Sequence, residues 1–288
     1  MAHFYSDSNP YDAPFIIKGV VFDNDNALYL EPQNAYEYHV SAAVEAVQEQ
    51  LPELPDWKVR LMLLASKAKY GGSLDIFEKE HGADMPQLRK DQYARLIDNT
   101  IGTGFFNPDN TPGRGLTTLL SSGVQLGIAT HGSKEWTFHS LRENQLAHMF
   151  NDTSIVTKED VKHGKNVGPE MYDAILDAMG VPEADYGQER GIGYVMVEDT
   201  MVNLKFAKER GMTTILIDAD RYDPDEIADY VDIVVKTNSD AVQAVIASNA
   251  NFSVYAKIDS SVVAKDSVRN SDFVDGDESP DVSRIDLH

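Results

Sequence analysis

The stretch Lys18-Gly19-Val20-Val21-Phe22-Asp23-Asn24-Asp25-Asn26-Ala27-Leu28-Tyr29 passes from an apolar, β-branched run into two aspartates one residue apart. The run has the texture of a buried strand in a parallel sheet. Its aspartates then lie at the carboxyl end, the edge where open α/β sheets hold their active sites. Two close carboxylates repel unless a cation lies between them, and Asp and Asn oxygens suit a hard ion such as Mg²⁺. An Asp in that place can also be a nucleophile that becomes an aspartyl-phosphate. A strand leading into an Asx-rich turn fits the same residues. The remainder of the chain has to separate the two readings.

The chain of 288 residues is long enough for one large domain or two smaller ones. Hydrophobic residues at 42% and charged residues at 25% place it in the ordinary globular class. It has no Cys, which excludes disulfides, thiolate chemistry and Cys-based zinc sites and fits a reducing compartment. Met1 to Pro14 is polar and acidic without an apolar core and does not read as a signal peptide. No apolar run approaches a membrane span, so the expected location is cytoplasmic. The net charge of −22 argues against non-specific binding to nucleic acid polymers or anionic lipid. A small anionic substrate is still admissible where a cation and a few Lys or Arg residues make one pocket locally positive.

In chain order, residues 1–14 read as a loose polar arm ahead of the strand. Asn34 to Gln50 then carries apolar residues at helical spacing, stopped by Pro52 and Pro55. Trp57 to Tyr70 reads as a second helix, broken by Gly71-Gly72; Leu74 to His81 as a short third; and Pro86 opens a fourth through Asp98. No strand pattern occurs between Leu30 and Phe106, so 30–106 is an all-helical block inserted after the first strand. From Arg114, helices (Arg114–Ser122, Lys134–Leu146, Pro169–Met179, Asn203–Arg210, Asp240–Ala247) alternate with strands (Val124–Thr130, Ser154–Val156, Gly193–Val197, Thr213–Ile217, Val231–Val235). That alternation predicts an α/β fold, a doubly wound, Rossmann-like parallel sheet with helices on both faces. The expected division is a core of 1–29 and 107–248, the helical block 30–106, and an acidic, poorly ordered tail 249–288 in which Phe252 to Val263 has some strand character.

Three strand ends converge on one sheet edge. The first supplies Asp23 and Asp25. The second ends in Ala129-Thr130-His131-Gly132-Ser133, a hydroxyl and free amides just ahead of a helix, which suits an anion. Thr130 reads equally as an N-cap. A later strand ends in Val197-Glu198-Asp199-Thr200, a second acidic pair leaving an apolar run. Two such pairs brought together by a doubly wound sheet look like a divalent-metal site.

These motifs resemble the haloacid dehalogenase superfamily, a group of mostly Mg²⁺-dependent phosphohydrolases, and within it the pyrimidine 5′-nucleotidase-like branch. Phe22 to Tyr29 is similar to that branch's Phe-Asp-x-Asp-Asn-Thr-Leu-Tyr, with Ala27 in place of Thr. Tyr70-Gly71-Gly72-Ser73-Leu74 and His81-Gly82-Ala83-Asp84 resemble its cap signatures, and Glu198 to Leu204 with Ala207 to Met212 its fourth motif. The resemblance implies that 30–106 is a C1-type cap that closes over the core. It implies Asp23 as nucleophile and Asp25 as acid and then base. It implies Mg²⁺ held by Asp23, the Asp25 carbonyl and Asp199, with Glu198 a direct or a water-mediated ligand. Thr130 and the His131 amide bind the phosphoryl oxygens, and a Lys offsets their charge.

The third motif departs from the family's Lys-Pro-x-Pro pattern. Counting back from Pro169, the Lys position holds Asn166, and Lys165 stands one residue too far; a one-residue loop insertion restores Lys165 as the expected residue, with Lys162 and Lys158 as alternatives. Ala27 removes a hydroxyl that braces the first loop in the family. His131, His139, His148 and His163 lack metal-type spacing and read as helix-surface residues, while Trp57 and Trp136 read as packing residues. The expected function is hydrolysis of a small phosphorylated metabolite, such as a pyrimidine nucleoside monophosphate. A dehalogenase is disfavoured by Asp25 and the Glu198-Asp199 pair. A phosphotransferase or phosphomutase shares every core motif, and Ala27 with the irregular third motif also fits a non-catalytic ligand-binding relative.

Overall fold

The computed structural model describes residues 2–4, 16–70, 72–182, 189–217 and 221–250. The acidic tail and most of the N-terminal arm lie outside the described residues. Among the described residues seven strands form one parallel sheet: β1 (His3–Phe4), β2 (Gly19–Phe22), β3 (Gln125–Ala129), β4 (Ile155–Val156), β5 (Tyr194–Glu198), β6 (Thr213–Ile217) and β7 (Ile233–Val235). Their order is β1-β7-β6-β5-β2-β3-β4. The chain runs outward from β2 through β3 to β4, then returns to the other side of β2 as β5. β2 is therefore flanked by strands whose connections leave in opposite directions, the switch point at which such sheets bind ligands.

β2 is buried along its whole length because both of its faces are covered. Val20 and Phe22 point into one core with Leu116, Leu119, Leu141 and Val242. Val21 points into the other with Met171, Tyr172, Ile175 and Leu204. This is the strand alternation of side chains, with an apolar layer waiting on each side. Each such side chain contributes about 1.5–3 kcal/mol by leaving water. One face carries α5 (Gly113–Ser121), α6 (Lys134–Glu143) and α9 (238–250); the other carries α7 (Glu170–Ala178) and α8 (Leu204–Glu209).

Between β2 and α5 stand α1 (Ala35–Gln50), α2 (Asp56–Tyr70), α3 (Asp75–His81) and α4 (Met85–Thr100). They share an apolar cluster of their own, including Val44, Val47, Val59, Leu63, Phe77 and Leu88. Asp84 caps α4 by accepting from Gln87 N at 3.2 Å. A second cluster joins this block to the sheet layer: Tyr29, Ala35, Ala42, Leu96 and Phe105 surround Trp136 at the start of α6. Among the described residues no helix is long and apolar enough to cross a membrane.

Three expectations are corrected. His3 and Phe4 are not loose arm residues: they pair with Ile233 and Val234 as an edge strand. A two-residue strand in a polar context leaves no periodic signal. Trp57 is 63% exposed rather than packed. His139 is buried, packed edge-on against Phe106 and beside Trp136, not exposed on the helix surface.

Candidate active site

The carboxyl end of β2 delivers Asp23 between two strands of known register. Phe22 pairs with Ile128 of β3 and Val197 of β5, and Asp23 N continues the ladder to Val197 O at 2.9 Å. The loop then turns sharply, with Asn26 at φ 59 and Leu28 N donating to the carbonyls of Asp23 and Asn24. Asx residues tolerate this left-handed conformation.

Lys165 reaches the centre of the site from the loop before α7. Its side chain is fully buried, with Nζ 2.9 Å from Asp23 Oδ2 and 2.5 Å from Glu198 Oε2. Burial alone would pull the ammonium pKa down, but the charges of Asp23 and Glu198 outweigh it and raise it. Of the alternatives, Lys158 Nζ donates to the Lys162 carbonyl at the surface, and Lys162 is exposed. The loop carrying Lys165 is anchored by His131, whose Nε2 accepts from Lys165 N at 2.8 Å. The surface reading of His131 therefore misses a contact. Desolvation of the ring, then the Lys165 charge, pushes this imidazole down to about 4, which keeps Nε2 an acceptor.

The second acidic pair divides. Glu198 is the last residue of β5 and is completely buried. Its Oε2 accepts from Lys165, and its Oε1 from Thr200 N at 3.2 Å and Asn203 Nδ2 at 3.1 Å. Asp199 is half-buried and accepts a 3.3 Å bond from its neighbour's hydroxyl, Thr200 Oγ1. Burial and then the charge of Asp23 raise its pKa. Asp23, Glu198 and Asp199 each offer an oxygen, all within 4.8 Å of one another. These carboxylates face one ammonium, a donor set of hard oxygens with surplus negative charge, which suits a divalent cation.

Asp25 stands beside them. Its Oδ1 accepts from Asn24 Nδ2 at 3.0 Å, from Trp136 Nε1 at 2.8 Å and from the Tyr29 hydroxyl. Burial, then the charges of Glu31 and Asp23, push its pKa up to about 7 in spite of these donors. Thr130 is buried; its Oγ1 accepts from Gly132 N at 3.0 Å, which leaves the hydroxyl proton free to donate. The His131 amide has no acceptor among the described residues. Ser133 caps α6 by accepting from Trp136 N at 3.1 Å, so both donors sit at a helix start.

The arrangement thus joins a carboxylate paired with a buried ammonium, a second carboxyl group whose pKa is raised, and a hydroxyl and a free amide at a helix start. Sequence reasoning missed the indole on Asp25, because a contact across 111 positions leaves no local trace.

Solved structures of similar fold carry little sequence identity. β-Phosphoglucomutase from Clostridium difficile is 13% identical, with a TM-score of 0.56 over 83% of this chain and 100% of its own. CbbY from Rhodobacter sphaeroides, in complex with phosphate, is 19% identical, with a TM-score of 0.55 over 78% of this chain and 96% of its own. The HAD-hydrolase YfnB from Bacillus subtilis, bound to magnesium, is 14% identical, with a TM-score of 0.51 over 80% and 99%. No curated protein matches the sequence. The family model of haloacid dehalogenase-like hydrolases matches residues 21–217, well over half of the chain, and the chain belongs to that family.

Proposed function

We propose that the chain is a Mg²⁺-dependent phosphomonoester hydrolase that works through an aspartyl-phosphate on Asp23. The reading is carried by the Lys165 ammonium at 2.9 Å from Asp23, beside the acidic pair on β5. In the first half-reaction an Asp23 oxygen bonds to phosphorus and the bond from phosphorus to the ester oxygen breaks. Asp25 gives its proton to the departing oxygen. In the second, water bonds to phosphorus, Asp25 takes the water's proton back, and Asp23 leaves as a carboxylate with release of inorganic phosphate. Thr130 and the His131 amide hold the phosphoryl oxygens, and Lys165 offsets their charge. Asp23, Asp199 and the Asp25 carbonyl would hold the Mg²⁺, with Glu198 behind them. The ion supplies charge stabilisation to the phosphoryl group.

The helical block α1–α4 acts as the cap, and its closure excludes bulk water and selects small substrates. On the motif resemblance, a pyrimidine nucleoside monophosphate is the first substrate to try. The likeness to β-phosphoglucomutase supports a second reading, transfer of the phosphoryl group to a sugar hydroxyl instead of water. The test is phosphate release from a panel of phosphomonoesters, with Mg²⁺ and with EDTA. Release in Mg²⁺, lost with EDTA and in Asp23→Asn, is expected. A wild-type protein that releases none across the panel overturns the hydrolase reading, and a phosphorylated sugar as product moves it to transfer.

A further inference from the structure

We propose that Trp136 is a positioning residue that holds Asp25 so that one of its oxygens, Oδ2, alone faces the reacting centre; this rests on the hydrolase reading above. Three donors converge on Asp25 Oδ1, from Asn24, Tyr29 and Trp136. A carboxyl oxygen offers two lone pairs, and these three donors already crowd them, so a proton on Oδ1 would have to turn the Tyr29 hydroxyl from donor to acceptor. Oδ2 is therefore the oxygen of Asp25 that the protein leaves open. That oxygen has no hydrogen bond among the described residues and lies alongside Gly132, where an added Cβ would stand 3.8 Å from it. Gly132 belongs to the loop that offers the Thr130 hydroxyl and the His131 amide, so Oδ2 looks toward the place of the phosphoryl group.

Two of the donors, Asn24 and Tyr29, belong to the loop after β2, and the third, Trp136, comes from α6. Asn24 belongs to the nucleophile loop and is itself fixed, its Oδ1 2.9 Å from Ser140 Oγ of α6. Trp136 is on the first turn of α6 and is wholly buried. Its ring stands 5.4 Å from Phe106, 5.8 Å from Phe105 and 6.0 Å from His39, centroid to centroid. Phe105 and Phe106 form the return from the helical block, and His39 is on α1. The indole that orients Asp25 is thereby seated by the block that closes the site.

The test separates holding the acid from merely filling space. Trp136→Phe keeps an aromatic ring in the pocket and removes the N–H. An alkyl phosphomonoester needs a proton on its leaving oxygen, whereas p-nitrophenyl phosphate releases a stable anion that needs little help. The value of kcat/KM reports the step in which that oxygen departs. Trp136→Phe is expected to lower kcat/KM on the alkyl ester about tenfold more than on p-nitrophenyl phosphate. Tyr29→Phe removes a second donor and should shift the same ratio in the same direction, which keeps the test open if Trp136→Phe does not fold.

A second readout needs no turnover. The chain has two tryptophans, and Trp57 is exposed. The protected indole N–H resonance should move in Asp25→Ala while that of Trp57 stays. Equal losses on both esters in the folded variants, or an unmoved indole resonance, overturn the positioning role and leave the hydrolase reading intact. A wild-type protein inert toward both esters in Mg²⁺ overturns the hydrolase reading and this inference with it.

Discussion

The Lys165 ammonium sits 2.5 Å from the Glu198 carboxylate, and neither side chain has any exposure to solvent. Glu198 is the end of β5, while Lys165 comes from a loop with no regular structure, so the pair ties the third-motif loop to the sheet. A buried pair is weak evidence of net stabilisation, but removing one partner leaves the other uncompensated, at about 3–5 kcal/mol. Lys165→Met should therefore lower the unfolding free energy by about that much and reduce kcat by about 10²–10³-fold. Because the variant leaves Glu198 and Asp23 without their cation, Mg²⁺ should recover more stability in it than in wild type. Urea titrations with and without Mg²⁺ measure both effects; equal midpoints for the two proteins without Mg²⁺ would rule out a charged pair.

Ala27 stands where the family carries a hydroxyl. It is completely buried and belongs to the main core with Val20, Ile128 and Val197. The loop is braced there by backbone, with Leu28 N donating to Asp23 O at 3.1 Å and Asn24 O at 3.3 Å. Ala27→Thr adds a methyl group and a hydroxyl to closed packing. Overpacking of this kind costs about 1–3 kcal/mol. The variant is expected to melt lower than wild type with no gain in kcat/KM on any phosphomonoester. A clear gain in rate would show that the missing hydroxyl, and not the backbone bracing, limits the site.

Much of this arrangement is legible along the chain because it is written at strand ends. Asp23 and Asp199 each follow a run of apolar residues that has to be buried, so the polarity change fixes both the strand and its edge. The helical block is legible through period and through the absence of β-branched alternation. Lys165 is harder, since the count back from Pro169 points to Asn166; only the folded loop shows which side chain turns inward. His131 and Trp136 are harder still. Their contacts, to Lys165 N and Asp25 Oδ1, exist because tertiary packing brings distant residues together. No local period or motif encodes such a pair. The edge strand at His3–Phe4 escapes for another reason: two residues are too few to show an alternation.

His39 links α1 to the loop after β2. Its Nε2 lies 2.8 Å from Glu31 Oε1, and Glu31 Oε2 accepts from Asn26 Nδ2 at 3.0 Å. Burial pulls this imidazole down, but the hydrogen bond and charge of Glu31, with Asp25 further off, leave it above 6.5. The folded value is raised, so the folded protein binds the proton more tightly than the unfolded chain. The contribution is complete below pH 6.5 and is lost as pH rises through the folded value. Unfolding midpoints of the wild type should fall across that interval, and those of His39→Gln should fall less. A variant with the same pH slope as wild type would remove His39 as the source.

Asp199 and Glu198 are adjacent acids with different freedom, and the metal should tell them apart. Both Glu198 oxygens already accept from protein donors, namely Lys165, Thr200 N and Asn203. Asp199 accepts a long bond from its neighbour's hydroxyl, and burial, then the charge of Asp23, raise its pKa. A cation bound beside Asp23 would relieve that repulsion and so stabilise the folded protein. At a Mg²⁺ concentration about 100 times its dissociation constant the gain is about 2.7 kcal/mol. Asp199→Asn should remove nearly all of this increment, because it takes away a charged ligand. Glu198→Gln lowers stability by breaking the Lys165 pair, yet should keep most of the Mg²⁺ increment. The measurement is the Mg²⁺-induced shift in melting midpoint for the three proteins. If Glu198→Gln loses the shift and Asp199→Asn retains it, then Glu198 is the direct ligand and Lys165 must move aside when the ion binds.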